Sequence, residues 1–542
     1  MAPLAVKIKH AGKVLDVQLD PDQPPTVFKD AVYQVTGVPP DRMKVMIKGG
    51  VLKDDTDWKK VGPKEGQTFM VIGAAGELPK PPEKPIVFLE DMDESSLAEA
   101  LALPVGLKNL GNTCYMNSTL QALRAIPELQ TALQSNAPPG LPSALGQLYQ
   151  QMSKTTDSVV PGTFLTALRQ AFPQFAEQSR SGKGTGGFAM YAQQDAEECW
   201  VQMTNSLRDV SIPGPSDGSS LPRKFVDQYM TGELRRELKC DEAPDEPPSI
   251  SFEKALKVEC NISITTNYML QGIKDSLNQK IEKNSPTLGR DAQYTATSRL
   301  SRLPSYLTIH MVRFAWRTDI GKKTKVMRKV KFPTDFDVVD LVTDELKQKM
   351  MPLVNKYREV EGERSERRSI RKKTALRIAK EQKAIASGSA PAEASSSSAP
   401  ADADAEPVAM DIDLEDESVY RQREKAQLEA LIHPDLQADI GCSLTGQYEL
   451  IAIVTHKGAA ADSGHYMGFV KKSAIQNQKP STGASGSSSS AVTPAPAQED
   501  EDWYKFDDDK VSVFPKEKLA TLDGGGEDSS AYVLLYKTKP LA

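Results

Sequence analysis

Residues 106–118 read GLKNLGNTCYMNS and decide the fold of most of the chain. Two glycines and three asparagines make this stretch rich in turn-forming residues. After Cys114, apolar residues recur at helical spacing, at Leu120, Leu123 and Ile126. We therefore predict that Cys114 stands at the N-terminus of a helix, where oriented N–H groups favour a thiolate.

Asn109 lies five residues before this cysteine, in a segment that can fold back towards it. Its side-chain amide is a candidate donor to the oxyanion that forms when sulfur attacks a carbonyl group. The alternative is that Cys114 is a buried structural cysteine, which needs no partner of this kind.

The composition limits the classes to which the chain can belong. Its 542 residues exceed what a single core organises, so we expect two or more folded units. A net charge of −6 argues against a general nucleic-acid binder. No run reaches the roughly 18 apolar residues that span a bilayer, and residues 1–13 lack a secretory signal, so we expect no membrane partner.

The five cysteines are odd in number and widely spaced, and they include no CxxC pair. This pattern argues against a disulfide framework and against a cysteine-rich zinc site. Free thiols fit a cytoplasmic and nuclear location, and one of them can be chemically special.

Of the five histidines, His465 has the surroundings best suited to a catalytic base. It follows Ser463-Gly464 and precedes Tyr466–Val470, so a flexible turn leads directly into a predicted strand. Taken alone, His465 could equally be a histidine on a surface loop. The Cys114 segment makes the base the preferred interpretation.

Such a base needs an acceptor that orients its ring. Residues 503–509 read WYKFDDD and place three carboxylates directly after a predicted strand. Asp507, the first residue out of that strand, is the predicted partner of His465. Asp508 is a possible support for the oxyanion or for a water, and Asp509 is interpreted as a solvated turn residue.

The first residues of the chain have the pattern of a separate small module. Alternating residues predict strands at Leu4–Ile8, Val14–Leu19, Met43–Ile47 and Phe69–Ile72. A helix between the second and third strands is predicted from Val27, Ala31, Val32 and Val35, with Thr26 as its N-cap.

This order of elements resembles ubiquitin, and residues 44–52 resemble the strand and turn that carry the hydrophobic patch of ubiquitin. The resemblance ends at residues 73–76, which read GAAG and continue into Glu77 without a processable Gly-Gly end. We therefore predict an integral ubiquitin-like domain over residues 1–76.

A proline-rich linker is predicted over residues 77–102, followed by the larger domain over residues 103–540. Two charged or disordered inserts interrupt that domain, at about 356–440 and 473–500. Lys356–Lys383 is predicted to form a solvated helix. The alanine-, serine- and proline-rich parts of the inserts bury too little apolar surface to become ordered.

Several motifs of the larger domain occur in the order seen in ubiquitin-specific proteases, and the chain is similar to that family. They are the stretch 106–118, QQDAEE at 193–198, residues 303–314, GHY at 464–466 and FDDD at 506–509. AYVLLY at 531–536 resembles the last strand of the family. The match covers about residues 103–537 apart from the inserts, and it is specific because several motifs agree.

The resemblance implies an α+β fold, in which a papain-like cysteine protease domain of thumb, palm and fingers follows a β-grasp ubiquitin-like domain. It implies a thiol-dependent deubiquitinase, with the ubiquitin tail entering between Cys114 and His465. Gln194, Asp195 and Tyr466 would bind substrate, although a helix cap with surface acids also explains Gln194 and Asp195. Many relatives bind zinc through two CxxC pairs that this chain lacks, so we expect no metal and no cofactor.

A ubiquitin-like domain before such a protease resembles the proteasome-associated members of the family. This implies ubiquitin and polyubiquitin chains as substrates, and docking on the 26S proteasome regulatory particle through residues 1–76. It also implies chain trimming on bound substrates and a monomer apart from the proteasome. Residues 318–325 and 524–526 are candidates for mobile loops that cover the active site. A non-catalytic ubiquitin-binding adaptor and an enzyme for another ubiquitin-like modifier stay open as alternatives.

Overall fold

The computed structural model describes residues 3–47, 50–73, 103–183, 189–212, 223–317, 321–386, 414–460, 463–476 and 501–541, to which every structural statement below refers. The chain forms two compact units, Met1–Met92 and Asp93–Ala542. The predicted linker 77–102 lies outside the described residues, so its boundaries stay predictions. Within the described ranges, none of the helices combines the length and the apolar character that a bilayer span requires.

The first unit is a five-stranded sheet with a helix packed on one face. Its elements are β1 (Leu4–His10), β2 (Lys13–Leu19), α1 (Pro25–Thr36), β3 (Lys44–Ile47), β4 (Gly50–Val51), α2 (Trp58–Val61) and β5 (Thr68–Ile72). The strand order is β2-β1-β5-β3-β4, with β1 and β5 parallel. Phe28 and Val32 of α1 pack with Val6, Ile8 and Phe69 in one core. This arrangement confirms the predicted β-grasp fold.

Helix α1 begins one residue before the predicted N-cap. Pro24 is the N-cap residue, Pro25 is the first helical residue, and no side chain caps the helix. The prediction of Thr26 as N-cap was therefore wrong. Proline fits the first helical turn because the N–H that it lacks would have no intrahelical partner there.

The buried face of α1 also differs from the predicted one. Phe28 and Val32 are buried, whereas Val27 is 47% exposed and Val35 is 40% exposed. Val27 and Val32 lie five residues apart, about 140° around a helix of 3.6 residues per turn, so they cannot both face the sheet. The larger aromatic side chain of Phe28 buries more apolar area and sets the rotation of the helix.

The second unit opens with a group of helices. They are α3 (Cys114–Arg124), α4 (Pro127–Asn136), α5 (Leu141–Met152), α6 (Gly162–Ala171), α7 (Ala196–Ser206) and α8 (Phe225–Tyr229), with 3₁₀ turns at Pro173–Ala176 and Leu207–Asp209. A small hairpin, β6 (Gln178–Lys183) and β7 (Ala189–Tyr191), lies between α6 and α7. Every residue of α3 is buried, so this helix is the centre of the helical half.

An eight-stranded sheet faces these helices. Its strands are β10 (Val258–Asn261), β13 (Tyr306–Val312), β16 (Asp335–Asp337), β17 (Gln447–Lys457), β18 (His465–Lys471), β19 (Trp503–Asp507), β20 (Lys510–Phe514) and β21 (Ser530–Thr538). The order is β10-β13-β21-β17-β18-β19-β20, and β16 pairs with β17. Helix α3 packs on β18. Gly468 permits the close approach, because a Cβ there would lie 3.3 Å from the backbone oxygen of Ser118.

A separate four-stranded sheet contains β8 (Gly232–Cys240), β9 (Ser249–Ala255), β11 (Asn278–Ser285) and β12 (Arg290–Arg302), in the order β11-β12-β8-β9. Helix α9 (Met269–Leu277) precedes β11, and β14 (Phe314–Arg317) forms a hairpin with β15 (Lys322–Lys325). The helical half, the large sheet and this smaller sheet confirm the predicted α+β class.

The first predicted insert contains a packed helical hairpin. Helix α10 (Asp344–Ala386) and helix α11 (Glu417–Glu429) run antiparallel, and Arg364 of α10 donates to Glu424 of α11 at 2.7 Å. Arg364 is only 2% exposed, so the prediction of a solvated helix was wrong for this face. The remaining elements are 3₁₀ turns at Val339–Leu341 and Lys516–Asp523 and helices α12 (Pro434–Ala438) and α13 (Lys472–Gln476). The predicted disorder of residues 387–413 and 477–500 falls outside the described residues.

Candidate active site

Cys114 is the first residue of helix α3, as the sequence predicted. Gly111 and Asn112 have φ angles of 94° and 53°, and these left-handed conformations turn the chain sharply into the helix. The first-turn N–H groups of the helix, which lack intrahelical partners, stabilise negative charge near its start. The side chain of Cys114 is 2% exposed, so its sulfur is surrounded mainly by protein groups.

His465 is the first residue of strand β18, and its Nε2 lies 2.7 Å from Asp507 Oδ1. This contact leaves Nδ1 for Cys114. The interaction with Cys114, aided by Asp507 and opposed by burial, raises the pKa of His465 to about 9. Gly464 precedes it with a φ of 123°, and a Cβ at that position would lie 2.3 Å from the backbone oxygen of Lys457.

Asp507 is the last residue of strand β19. Burial raises the pKa of Asp507, but hydrogen bonds from His465 and then Lys505 outweigh it and hold the pKa below its ordinary value. Lys505 Nζ lies 3.2 Å from Asp507 Oδ2. The structure thus brings together Cys114, His465 and Asp507, the three side chains that sequence reasoning singled out.

Asp508 connects the turn after β19 to the segment before Cys114. Its Oδ2 accepts a hydrogen bond of 2.9 Å from Asn109 Nδ2, and its Oδ1 accepts one of 2.8 Å from Asn117 Nδ2. Its backbone oxygen accepts from the N–H of Leu107 at 2.9 Å. The structure therefore places Asn109 in the site with one hydrogen of its amide directed at Asp508.

Gln193 is a site residue that sequence reasoning missed. Its Nε2 donates to Cys114 Sγ at 3.2 Å, whereas the sequence had singled out the next residue, Gln194. Neighbouring side chains of an extended segment point in opposite directions. A pair of adjacent glutamines therefore carries no signal that tells which one faces the sulfur.

Gln194 is half-buried, and Asp195 is the N-cap residue of helix α7. Asp195 Oδ1 accepts from the N–H of Glu197 at 2.8 Å. The hydroxyl of Tyr532 donates to the carboxylate of Asp195, 2.8 Å from each oxygen. The helix-cap interpretation is thus correct for Asp195. The hydrogen bonds from Glu197 and Tyr532 hold its carboxylate in one orientation.

Tyr466 contributes its backbone to the site. Its N–H donates to Cys114 Sγ at 3.4 Å. Its ring is buried, and the ring centroids of His456 and Tyr532 lie 4.8 Å and 6.1 Å away. Burial raises the pKa of Tyr466 well above its usual value. The side chain therefore belongs to the core, and the backbone faces the sulfur.

The chain that carries this site matches two known protein families. The family model described as ubiquitin carboxyl-terminal hydrolase matches residues 105–536, which include all the site residues above. The chain belongs to the ubiquitin carboxyl-terminal hydrolase family. A second model, described as the ubiquitin family, matches residues 5–75 of this hydrolase.

Relatives of the hydrolase align with it over nearly their full lengths. It is 40% identical to ubiquitin carboxyl-terminal hydrolase 6 of Schizosaccharomyces pombe over 544 residues, which cover 100% of both chains. It is 36% identical to ubiquitin carboxyl-terminal hydrolase 6 of Arabidopsis thaliana, over 98% of both chains. It is 28% identical to ubiquitin carboxyl-terminal hydrolase 14 of Caenorhabditis elegans, over 98% of this chain and 93% of that one.

These matches confirm the predicted enzyme class. The protein is a cysteine-type deubiquitinase with an N-terminal ubiquitin-like domain, and ubiquitin is its substrate. The adaptor that was left open as an alternative is set aside, because the matched family is one of hydrolases.

Cys114 differs from the other thiols of the hydrolase in its partners. Burial raises the pKa of Cys260 to about 12 and that of Cys442 to about 11, and it also raises the pKa of Cys199. Thiols buried in apolar surroundings are poor nucleophiles at neutral pH. Cys114 alone, among the described cysteines, interacts with a histidine whose pKa is raised.

His465, Asp507 and Asp508 present possible ligand atoms that all lie within 4.8 Å of one another. In the hydrolase these groups are engaged with each other or with asparagine amides. The expectation that the enzyme needs no metal or cofactor stays a prediction.

Lys325, in hairpin β14–β15, hydrogen-bonds to two other segments beside the site, residues 456–459 and the loop at 523–528. Its Nζ donates to the backbone oxygens of His456 at 2.8 Å and Asp528 at 3.2 Å, and its N–H donates to that of Ala459 at 2.9 Å. Burial lowers the pKa of Lys325 to about 8. Residues 456–459 precede His465, so hairpin β14–β15 and the loop at 523–528 contact the segment before this histidine. Both candidate covering loops border this junction, although residues 318–320 lie outside the described residues.

Proposed function

We propose that Cys114 is the nucleophile and His465 the base with which the hydrolase cleaves isopeptide bonds at the C-terminal glycine of ubiquitin. The observation that carries this proposal is the arrangement of Cys114, His465 and Asp507, in which His465 Nε2 lies 2.7 Å from Asp507. A cysteine beside an imidazolium reacts as a thiolate.

In the proposed reaction the thiolate attacks the carbonyl carbon of the isopeptide bond. His465 gives its proton to the leaving lysine amine, and a thioester between Cys114 and ubiquitin forms. The neutral imidazole then removes a proton from water, which attacks the thioester and releases ubiquitin. Asp507 holds the ring in orientation and stabilises its charged form.

Asn109 is the proposed side-chain donor to the oxyanion. A primary amide carries two hydrogens, and the one that bonds Asp508 fixes the plane of the group. We assign the second hydrogen to the oxyanion. Asp508 supports this role because it orients the amide before the reaction begins. A donor that is already oriented does not have to be reorganised when the transition state forms.

Gln194, Asp195 and Tyr466 are the proposed contacts of the ubiquitin tail. An extended tail offers backbone N–H and C=O groups, which an amide and a carboxylate can bond. The Asp195 carboxylate is already held by Tyr532, so it is suited to receive N–H groups in a defined direction. Tyr466 would contribute through its backbone, because its ring is buried.

The same proposal assigns residues 1–76 to docking on the regulatory particle of the 26S proteasome. Cross-strand pairing aligns Val14, Lys9, Met70, Met46 and Val51 in one row across the sheet. Its four apolar members are all exposed, Met70 by 51%. This row lies on the face opposite helix α1 and gives the domain an apolar binding surface.

Docked in this way, the hydrolase would trim polyubiquitin chains from substrates that the proteasome holds. We propose that it is a monomer apart from the proteasome, and that it works in the cytoplasm and the nucleus, where proteasome substrates are found.

Labelling with a ubiquitin C-terminal electrophile tests the catalytic proposal. The full-length protein is incubated with the probe, alone and with purified proteasomes, and Cys114→Ala serves as the blank. Labelling of Cys114 is expected, and it should be faster with proteasomes. If Cys114 stays unlabelled under both conditions, the catalytic assignment is wrong.

A pair of surface variants tests the docking proposal separately. Met70→Asp places a charge in the exposed row, whereas Val27→Asp places one on a similarly exposed site of helix α1, on the other face. We expect Met70→Asp to abolish co-sedimentation with proteasomes and Val27→Asp to retain it. Retained binding by Met70→Asp would refute the role of this row.

A further inference from the structure

Gln193 contacts the sulfur of Cys114 but has no part in the proposed reaction or in the proposed binding of the ubiquitin tail. Gln193 Nε2 donates to Cys114 Sγ at 3.2 Å, and the N–H of Tyr466 donates to the same sulfur at 3.4 Å. The two donors come from different elements, since Gln193 precedes helix α7 and Tyr466 lies in strand β18. Two N–H groups from separate elements therefore bond the same sulfur.

The segment that carries Gln193 is anchored before and after it. Asn112 Nδ2 donates to the backbone oxygen of Tyr191 at 2.9 Å, which ties the segment to the turn before Cys114. The guanidinium carbon of Arg169 lies 3.5 Å from the centroid of the Tyr191 ring. Two residues after Gln193, Asp195 caps helix α7 and is bonded by Tyr532. The amide is therefore held against the sulfur before any substrate arrives.

Asn109 does not perform the same task in the free enzyme. Its Nδ2 donates to Asp508, and its Oδ1 accepts from the N–H groups of Gly111 and Thr113. The side-chain amide that bonds the sulfur is that of Gln193. An N–H group that donates to a sulfur atom stabilises the charged form of that sulfur relative to its neutral form.

We propose that Gln193 is a positioning residue for the nucleophile. Its amide holds Cys114 Sγ as a thiolate between the N–H of Tyr466 and the imidazolium of His465, oriented for attack. This inference rests on the proposed function in one respect, namely that Cys114 is the nucleophile. It differs from tail binding, because it concerns the reactivity of the sulfur when no ubiquitin is bound.

Two probes distinguish these roles. Iodoacetamide reacts with the sulfur without occupying the channel for the ubiquitin tail. A ubiquitin C-terminal electrophile needs both a reactive sulfur and a bound tail. Rates are measured on the full-length protein at neutral pH by mass spectrometry of the Cys114 peptide, with Cys114→Ala as the blank. The variants are Gln193→Ala and Gln193→Glu. The matched control is Gln174→Ala, which removes a different glutamine amide, one that donates to Glu198 of helix α7.

We expect both Gln193 variants to react about tenfold or more slowly with both probes, because a hydrogen bond to a charged group is lost. Gln174→Ala should react at the wild-type rate. In Gln193→Glu the deficit should shrink as the pH is lowered towards about 4.3, the ordinary pKa of a glutamate carboxyl, since a protonated carboxyl regains a donor. A purely structural role would give no such pH dependence.

Two results would overturn the inference. In the first, Gln193→Ala reacts with iodoacetamide as fast as the wild type but reacts slowly with the ubiquitin probe. Gln193 would then be a tail contact only. The other is a deficit of Gln193→Glu that does not change with pH. A wild-type protein that reacts with iodoacetamide but never with the ubiquitin probe would instead refute the proposed function.

Discussion

Asp508 accepts a hydrogen bond of 2.9 Å from Asn109 across a sequence separation of 399 residues. The same carboxylate accepts from Asn117 in the first turns of helix α3. One side chain in the turn between β19 and β20 therefore holds both the loop before Cys114 and the helix that carries it. The relative position of Cys114 and His465 depends on this bridge as well as on the β-strands.

Asp508→Asn is expected to lower kcat for a ubiquitin substrate by about tenfold or more, because an asparagine has one acceptor oxygen in place of the two that bond Asn109 and Asn117. Asparagine tolerates the φ of 53° at this position, so backbone strain should not contribute. Asp509→Asn, next to it and exposed, is the matched control and should leave kcat unchanged. An equal loss in both variants would show that the turn itself, rather than the carboxylate, is responsible.

Asp507→Asn is expected to lower kcat by at least about tenfold and to move the alkaline limb of the pH–rate profile to lower pH. Because the pKa of His465 is raised to about 9, the imidazolium persists up to that pH in the wild-type enzyme. The raised pKa also stabilises the fold. That stabilisation is complete below about 6.5, the ordinary pKa of histidine, and is lost as the pH rises to about 9. Kinetic profiles with an unchanged alkaline limb would contradict this prediction.

Gly464→Ala is expected to reduce kcat by about a hundredfold while the protein stays folded. A Cβ at Gly464 would lie 2.3 Å from the backbone oxygen of Lys457 and 2.7 Å from Nε2 of His456. The residue after it is His465, the proposed base, and a displacement of about 1 Å at a catalytic group costs about 10²-fold. Gly162→Ala, where nothing lies within 4 Å of the added Cβ, is the control. Full activity of Gly464→Ala would show that the turn can relax without moving His465.

Arg364→Met is expected to destabilise the protein by roughly 1–3 kcal/mol, because the buried carboxylate of Glu424 loses one of its two arginine partners and keeps only Arg367. The double variant Arg364→Met/Glu424→Leu should recover part of this loss, since the buried carboxylate is also removed and Arg367 keeps Glu417 as a partner. Arg368→Met, whose side chain is 62% exposed, should change the stability by less than about 1 kcal/mol. Urea unfolding measures all three, and a small effect of Arg364→Met would refute the packed hairpin.

Lys325→Met tests the junction of the three loops through its pH dependence. The pKa of Lys325 is lowered to about 8 from 10.5, so the buried charge penalises the fold below about pH 8. Between these values the unfolded chain binds more protons than the folded one, and the stability of the wild type rises with pH. Its free energy of unfolding, relative to Lys325→Met, should therefore increase by up to about 3 kcal/mol over this range. Lys323→Met, which removes an exposed lysine of the same hairpin, is the matched control, and an equal increase relative to both variants would contradict the prediction.

The sequence predicted those features that depend on neighbouring residues and on the order of motifs. The strand and helix order of the first domain follows from local alternation and spacing. The helix after Cys114, the strand after His465 and the carboxylate at Asp507 follow from turn residues next to apolar runs. Each of these signals lies within a few residues of the group that it describes.

The tertiary structure decided the features that depend on contacts between distant segments. The rotation of α1 is set by which side chains bury more area against the sheet, so Phe28 replaces Val27 in the core. The charged insert became a packed hairpin because Arg364 meets Glu424, 60 residues later in the chain. Composition alone predicts solvation for such a segment, since it cannot reveal that opposite charges will be paired.

The same distinction applies at the sulfur. The sequence by itself determined that Cys114 begins a helix and that His465 and Asp507 are its candidate partners. Only the folded chain brought Gln193, rather than Gln194, to the sulfur and turned the Asn109 amide to Asp508. The direction of a side chain is set by the backbone path and by groups far along the chain, and neither is encoded in the spacing of residues within a motif.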